Sequence, residues 1–395
     1  MIRPTVARID LAAIKHNFHT ISQFLRTAIG VRPQSSEPGA RETNGVRPRT
    51  GGAVAQPGVL AVVKANAYGH GAPQVALALE EAGVAMLACA DIEEAIELRE
   101  AGVRVPILVF GALSVSDLDG IFRHELTPTI STPGAARALQ AAAARHGVTL
   151  RCHLKIDTGM NRLGFRHDNL QQTLPDVASS PNLSIVAVYT HFATADDPDH
   201  PLFAEQRTRF ESALTVLGSL GIDATVRHAA NSAAMLRDER VWYDYVRPGL
   251  LLYGVTPPPL ATTLDLRPAM SLHSRIVAVK GIRPGEGSGY GMQTTFSASR
   301  TLAVIPAGYA DGLDLRLAGR GYMLVRGRRA PVVGSVCMDM AMIDVTGMEV
   351  APGDEVVIVG AQHGESIGVR EIALAIGTIP YELLCRVGSR IQRIY

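Results

Sequence analysis

Ala61-Val62-Val63-Lys64-Ala65-Asn66-Ala67-Tyr68-Gly69-His70-Gly71 is a short apolar run that delivers a lysine at its C-terminal edge, then turns through small residues carrying Asn66, Tyr68 and His70. A helical stretch over 72–82 follows, and this strand–turn–helix beat recurs along the chain. Further strand-like runs fall near 84–88, 105–109, 126–130, 149–156, 184–190, 224–228 and 244–247, with helical stretches over 91–101, 133–146 and 205–220 between several of them. Apolar strands alternating with amphipathic helices predict a parallel sheet covered by helices. Eight units at roughly 25-residue spacing favour a closed (β/α)8 TIM-like barrel over an open doubly wound sheet, with the chemistry at the strand C-termini.

Outside the barrel pattern the chain changes character three times. Residues 5–9 alternate as a short strand that can pack on a second domain, and Asp10 can cap a helix carrying Leu11, Ile14, Phe18, Ile21 and Leu25. From about 30 to 58 the chain is rich in Pro, Gly, Arg, Ser and Thr and lacks periodicity, which predicts a disordered insert with no part in the chemistry. After about Pro268 helices nearly vanish. Short strands over 276–279, 301–305, 322–325, 330–333, 342–345 and 355–359 are divided by Gly and Pro, with one helix near 369–375. The expected organisation is a barrel domain over 1–265 and a mainly β C-terminal domain over 266–395.

A length of 395 residues and an apolar fraction of 47% allow two buried cores. The 38 Lys plus Arg against 37 Asp plus Glu leave no charge excess to attract a nucleic-acid backbone. The Arg-rich stretches 26–49 and 319–329 lack interleaved aromatics, and the second reads as a hairpin region. Cys89, Cys152, Cys337 and Cys385 have neither metal nor redox spacing, no His pair has ligand spacing, and no metal is expected. No run approaches the roughly 18 apolar residues that span a bilayer, and Met1 to Asn17 lacks a secretory core, so a cytoplasmic protein with no membrane partner is expected.

If the barrel closes, polar groups from separate strand ends converge: Lys64 and Tyr68, then Lys155, Asp157 and Arg162, then His191, then His228, Asn231 and Ser232, then Arg247. Lys64 can hold an aldehyde as a Schiff base, or it can be a solvated lysine at a strand end, and its own segment does not choose. Asn231-Ser232 opening a short helix, with Gly249 after Arg247 and Pro248, reads either as an anion site or as an ordinary capped helix. The two together point to pyridoxal 5′-phosphate. The glycine-rich run 285–291 opens no helix and is a weak nucleotide signal. It reads as a turn or as a loop presenting Tyr290.

These motifs resemble the alanine racemase family over nearly the whole chain. The resemblance rests on residues 61–71, Lys155-Ile156-Asp157-Thr158-Gly159-Met160-Asn161-Arg162-Leu163-Gly164, Thr190-His191-Phe192-Ala193, His228-Ala229-Ala230-Asn231-Ser232 and Arg247-Pro248-Gly249. In the second domain it adds Gly289-Tyr290-Gly291, Gly308-Tyr309-Ala310-Asp311-Gly312 and Cys337-Met338-Asp339. It implies interconversion of L- and D-alanine for peptidoglycan, through a cofactor external aldimine and two bases. Lys64 is the cofactor lysine and one base. Tyr290 is the other, reaching in from the second subunit of a homodimer with shared sites. Both side chains, ordinarily near pKa 10, need depressed values to act as bases.

The resemblance also implies that Tyr68, Asn231, Ser232, Gly249, Leu250 and Tyr381 bind the cofactor along with His191 and Arg247. Arg162 holds the substrate carboxylate or the cofactor's phenolic oxygen, Lys155 beside it can be carbamylated, and Met338 and Asp339 serve the partner's substrate site. Tyr309 and Tyr381 are expected at the entrance. Ala229 stands where relatives commonly carry cysteine, and Met292 follows the Tyr290 glycine. The competing readings are a broader amino-acid racemase, a barrel amino-acid decarboxylase, which Arg247 argues against, and a cofactor carrier without turnover.

Overall fold

The computed structural model describes residues 4–30, 56–111, 113, 118–292 and 294–395. The expected insert at 30–58 falls largely outside them. The helix Leu11–Gly30 precedes it, and strand resumes at Gly58.

The barrel strands are β2 (Gly58–Val62), β3 (Met86–Cys89), β4 (Ile107–Val109), β5 (Thr127–Ile130), β6 (Leu150–Asp157), β8 (Leu183–Tyr189), β9 (Val226–Asn231) and β10 (Tyr245–Arg247), while β7 (Phe165–Arg166) is a short pairing on the end of β6. Each barrel strand pairs in parallel with the next, and β10 returns to β2, so the ring is closed. Most strand positions are apolar because side chains fill the ring and helices cover it, and Leu60, Leu87, Leu108, Ile130 and Leu154 are fully or almost fully buried, while Thr129, His153, Lys155, His228 and Arg247 are buried polar exceptions. Helix starts follow their caps. Asp91 accepts from Glu94 N–H at 2.9 Å ahead of Ile92–Glu100, and Thr132 accepts from Ala135 N–H at 3.1 Å ahead of Pro133–Arg145.

The C-terminal region is mainly β. Its strands are β11 (Met270–Arg275), β12 (Ala278–Ile282), β13 (Gly287–Ser288), β14 (Thr294–Thr295), β15 (Arg300–Ile305), β16 (Tyr322–Val325), β17 (Arg328–Val333), β18 (Ala341–Asp344), β19 (Glu355–Gln362), β20 (Glu365–Ile367) and β21 (Gln392–Ile394). The large sheet runs β12-β15-β18-β17-β16-β19-β11 and continues through β1 (Val6–Ile9), which lies antiparallel to β11 and parallel to β21. Asp10 accepts the Ala13 N–H at 2.8 Å, starting the helix that returns the chain to the barrel. The expected strand at 276–279 is corrected: Ile276 and Val277 are the break between β11 and β12. Polar Ser271, His273 and Ser274 hide the first of these strands from an apolar-pattern reading, although His273 and Ser274 are buried. The helix Pro380–Cys385 also lies beyond the expected 369–375 helix, and it packs against the Lys64 turn. Among the described residues no helix is long and apolar enough to cross a membrane.

Candidate active site

Beyond β2 the backbone reverses hand. Ala65, Asn66, Ala67 and Tyr68 have φ of 52°, 53°, 51° and 52°. Left-handed backbone costs an L-residue about 1–2 kcal/mol, so this turn must be held from outside. Glu94 accepts the Ala65 N–H at 2.6 Å and, through its other oxygen, the Ala90 N–H at 2.7 Å. Asn66 accepts the Ala72 N–H at 2.7 Å. Tyr68 is buried against Tyr253 and Tyr381, with ring centroids 4.9 and 5.8 Å away. Gly69 is required where it stands, because a Cβ would lie 2.2 Å from the Leu384 carbonyl oxygen.

The turn places Lys64 in a pocket of about 330 Å³ at the strand C-termini, together with Tyr68, Lys155, Arg162, His191, Asn231, Ser232, Arg247, Gly249 and Tyr381. All but Tyr381 lie on barrel strands or just after them, and the closed ring brings them together; of the strand-end residues expected to converge, Asp157 and His228 do not line the pocket. Burial, then Arg162, lowers the Lys64 pKa, so more of its amine is unprotonated and free to accept a proton at neutral pH than in a solvated lysine. Burial and Arg162 likewise bring Lys155 down to about 8.

Arg247 is buried and spends its donors on fixed partners. It donates to the carbonyls of Thr190 at 2.7 Å and Ala229 at 2.9 Å, to His228 Nδ1 at 2.9 Å and, at a longer 3.3 Å, to His191 Nδ1. A guanidinium only donates, so His228 accepts at Nδ1 and carries its proton on Nε2, which lies 3.0 Å from His153 Nδ1. Burial, reinforced by Arg247, holds His228 and His191 well below the usual imidazole range and brings His153 to about 3, so all three rings are neutral. Tyr189 stacks on His228 with centroids 4.7 Å apart, and lies 5.7 Å from Lys155 Nζ and 5.3 Å from the Arg247 guanidinium.

Gly249 donates its N–H to Ser232 Oγ at 2.9 Å, and a Cβ on Gly249 would lie 2.3 Å from Tyr68 Oη. Two hydroxyls and a backbone N–H therefore meet at a spot that only glycine leaves open. Asn231 caps the following helix through Ala234 N–H at 2.9 Å and so fixes Ser232. Leu250 is buried in the turn after Gly249 and does not line the pocket. Tyr381 comes from the β region on the Pro380–Cys385 helix, and burial pushes its phenol up to about 12.

Tyr290, Tyr309, Met338 and Asp339 do not line this pocket. Tyr290 is 78% exposed on the link between β13 and β14. Its carbonyl accepts from Ser335 Oγ at 2.7 Å, while Tyr309 N–H donates to the Cys337 carbonyl at 3.0 Å, so one 335–340 loop ties the two segments together. Met338 is exposed, and Asp339 pairs with Arg390 at 2.5 Å. The pocket also contains Ala90, Phe110 and Tyr189, which the sequence reading missed. Tyr189 could have been found from its place at the end of an expected strand. Glu94 carries no such signal, lying inside an acidic helical run.

The residues present fit pyridoxal 5′-phosphate: a lysine of lowered basicity, the Ser232 and Tyr68 hydroxyls brought together for a phosphate where the bare Gly249 Cα lets Tyr68 approach, and a fixed guanidinium. Comparison with known proteins identifies the family. Residues 48–257 match the family described as alanine racemase, N-terminal domain, and residues 269–395 match alanine racemase, C-terminal domain. The chain is 38% identical to an alanine racemase of Halothermothrix orenii over 100% of this chain and 97% of that one. It is similar to the crystal structure of alanine racemase from Streptomyces lavendulae, with 33% identity, a TM-score of 0.90 and coverage of 100% and 97% of the two chains. The alanine racemase of Bartonella henselae, whose crystal structure carries covalently bound pyridoxal phosphate, is 26% identical with a TM-score of 0.83 and 99% coverage of both chains.

Proposed function

This chain belongs to the alanine racemase family and interconverts L- and D-alanine; we propose that it does so with pyridoxal 5′-phosphate held on Lys64, and with Tyr290 of a partner subunit as the second base. When bound, the cofactor supplies an electron sink for charge left at the substrate Cα. Lys64 takes or returns the Cα proton on one face and Tyr290 acts on the opposite face, since inversion requires a proton to leave one side and arrive on the other. Ser232, Tyr68, Gly249 and Tyr381 would hold the phosphate, with Asn231 setting Ser232 and Leu250, its side chain buried away from the pocket, contributing through its backbone N–H alone. Arg247 would be the residue presented to the cofactor's ring nitrogen, and because a guanidinium does not give up its proton at neutral pH it would leave that nitrogen unprotonated, favouring proton return over side reactions. His191 packs beside Arg247. Arg162 grips the substrate carboxylate through its planar fork. Lys155 next to it repels Arg162 as an ammonium and orients it as a carbamate. Met338, Asp339 and Tyr309 complete the partner's site.

The observation that carries this reading is a pocket holding Lys64, Arg247 and the Ser232–Gly249–Tyr68 group while Tyr290 projects from a separate surface of the same chain. A head-to-tail C2 dimer, with barrel and β domains meeting near residue 265, gives each pocket the other chain's tyrosine. The same arrangement counts against a carrier, which needs no second base, and Arg247 counts against a decarboxylase. A cytoplasmic enzyme supplying D-alanine for peptidoglycan is the setting we propose.

Two inactive variants, K64A and Y290F, test the shared site. Mixed by reversible dissociation, random pairing makes half the dimers mixed, each with one intact site, and restores about a quarter of wild-type activity. The readout is D-alanine formed from L-alanine in D2O, with deuterium at Cα. No recovery on mixing, with verified mixed dimers, would refute the shared site.

A further inference from the structure

Glu94 stands on the helix Ile92–Glu100, outside the residues assigned to cofactor or substrate, yet both its carboxylate oxygens are committed to the ends of barrel strands. One oxygen takes the N–H of Ala65, the residue after Lys64 and the first of the four left-handed positions. The other takes the N–H of Ala90, which follows β3 and lines the pocket. In the right-handed capping box, a glutamate at this third helical position would reach back to its own cap residue. Here Asp91 caps Glu94 N–H, and the Glu94 carboxylate instead bridges two neighbouring strands at the catalytic end of the barrel.

We propose that Glu94 is a positioning residue for Lys64: its carboxylate clamps the left-handed turn that aims the lysine into the pocket, and its negative charge opposes the surrounding cations. The inference rests on Lys64 being the cofactor lysine. The charged and titratable groups acting on Lys64 are Arg162, Arg247, Cys385 and Glu94. Lys155 and His191 also interact with it. Glu94 itself feels Asp91 and Lys64, and acts on Cys89, Cys385 and Tyr253. Within the set acting on Lys64, Arg162 and Arg247 disfavour an ammonium and Glu94 is the carboxylate that favours it. The clamp and the charge are separable. A glutamine keeps the reach but presents a donor to one of the two N–H groups and loses the charge. An aspartate keeps the charge but is one methylene too short to span both.

The test compares E94Q and E94D with wild type, reading the pH dependence of the bound cofactor's absorbance without substrate, the cofactor dissociation constant, and the pH profile of kcat/KM. In E94Q the spectroscopic midpoint and the matching limb of the profile move to lower pH by about one unit, because removing a neighbouring anion destabilises the protonated form. In E94D the midpoint stays within a few tenths of a unit of wild type while kcat falls at least about tenfold. An unmoved midpoint in E94Q overturns the proposal whatever happens to kcat, and so does wild-type kcat in E94D. Borohydride reduction of wild type, followed by mass mapping, separates this from the underlying reading: absence of cofactor on Lys64 would sink the assignment of the lysine itself.

Discussion

Replacing Gly249 with alanine tests how tightly the phosphate end is built. Gly249 has a φ of −116°, outside the left-handed region, so the cost comes from space and not from backbone hand. Its new Cβ would lie 2.3 Å from Tyr68 Oη and 2.9 Å from Cζ, against contacts that ordinarily exceed 3.4 Å. Tyr68 cannot simply slide away. Its ring is only 6% exposed, leans on Tyr253 and Tyr381, and hangs from the left-handed turn. Overpacking of this kind costs about 1–3 kcal/mol. If Tyr68 moves, the phosphate also loses a charge-assisted hydrogen bond worth about 1.5–3 kcal/mol. Loss of that hydrogen bond alone, at about 2 kcal/mol, corresponds to roughly 30-fold weaker cofactor affinity. Titrating apoprotein with pyridoxal 5′-phosphate measures that affinity, and thermal unfolding of the apoprotein measures the packing cost. Gly218→Ala is the control, since nothing lies within 4 Å of its Cβ position. A G249A protein with wild-type affinity and wild-type unfolding temperature would refute the packing argument.

Two more outcomes follow from the electrostatics. An unmodified Lys155, with a folded pKa of about 8 against 10.5, favours the neutral amine, so its contribution is lost as pH falls through 8 and costs about 3 kcal/mol at pH 7. K155M apoprotein is then more stable than wild type at pH 7 in urea unfolding, and the gap closes between pH 8 and 10.5; a K155M protein less stable at pH 7 would mean the side chain normally carries negative charge. R247M leaves the Thr190 and Ala229 carbonyls without their guanidinium donor, destabilising the apoprotein by about 2 kcal/mol or more, and removes the cation that adds to burial in depressing His228, whose imidazole pKa rises in an NMR titration while burial still holds it low.

The barrel was legible because its evidence is periodic. Eight apolar runs at regular intervals, each ending where a polar residue begins, can be read without knowing which strand neighbours which, and the closed ring lies within a few residues of those runs. The β region was less legible. β11 is a strand because β1 and β19 pair with its two edges from distant parts of the chain, and no local pattern announces that.

Residue types alone were enough to nominate Lys64, Arg162, His191, Ser232 and Arg247, because motifs place chemistry at strand ends. The tertiary structure decided what those groups become. Burial makes the histidines around Arg247 neutral, and long-range packing holds Lys64's turn in a hand that L-residues avoid. It also recruits Glu94 and Tyr189, which no motif marks. Distance in three dimensions sets a group's basicity and reach, and a linear sequence specifies that distance only through the fold.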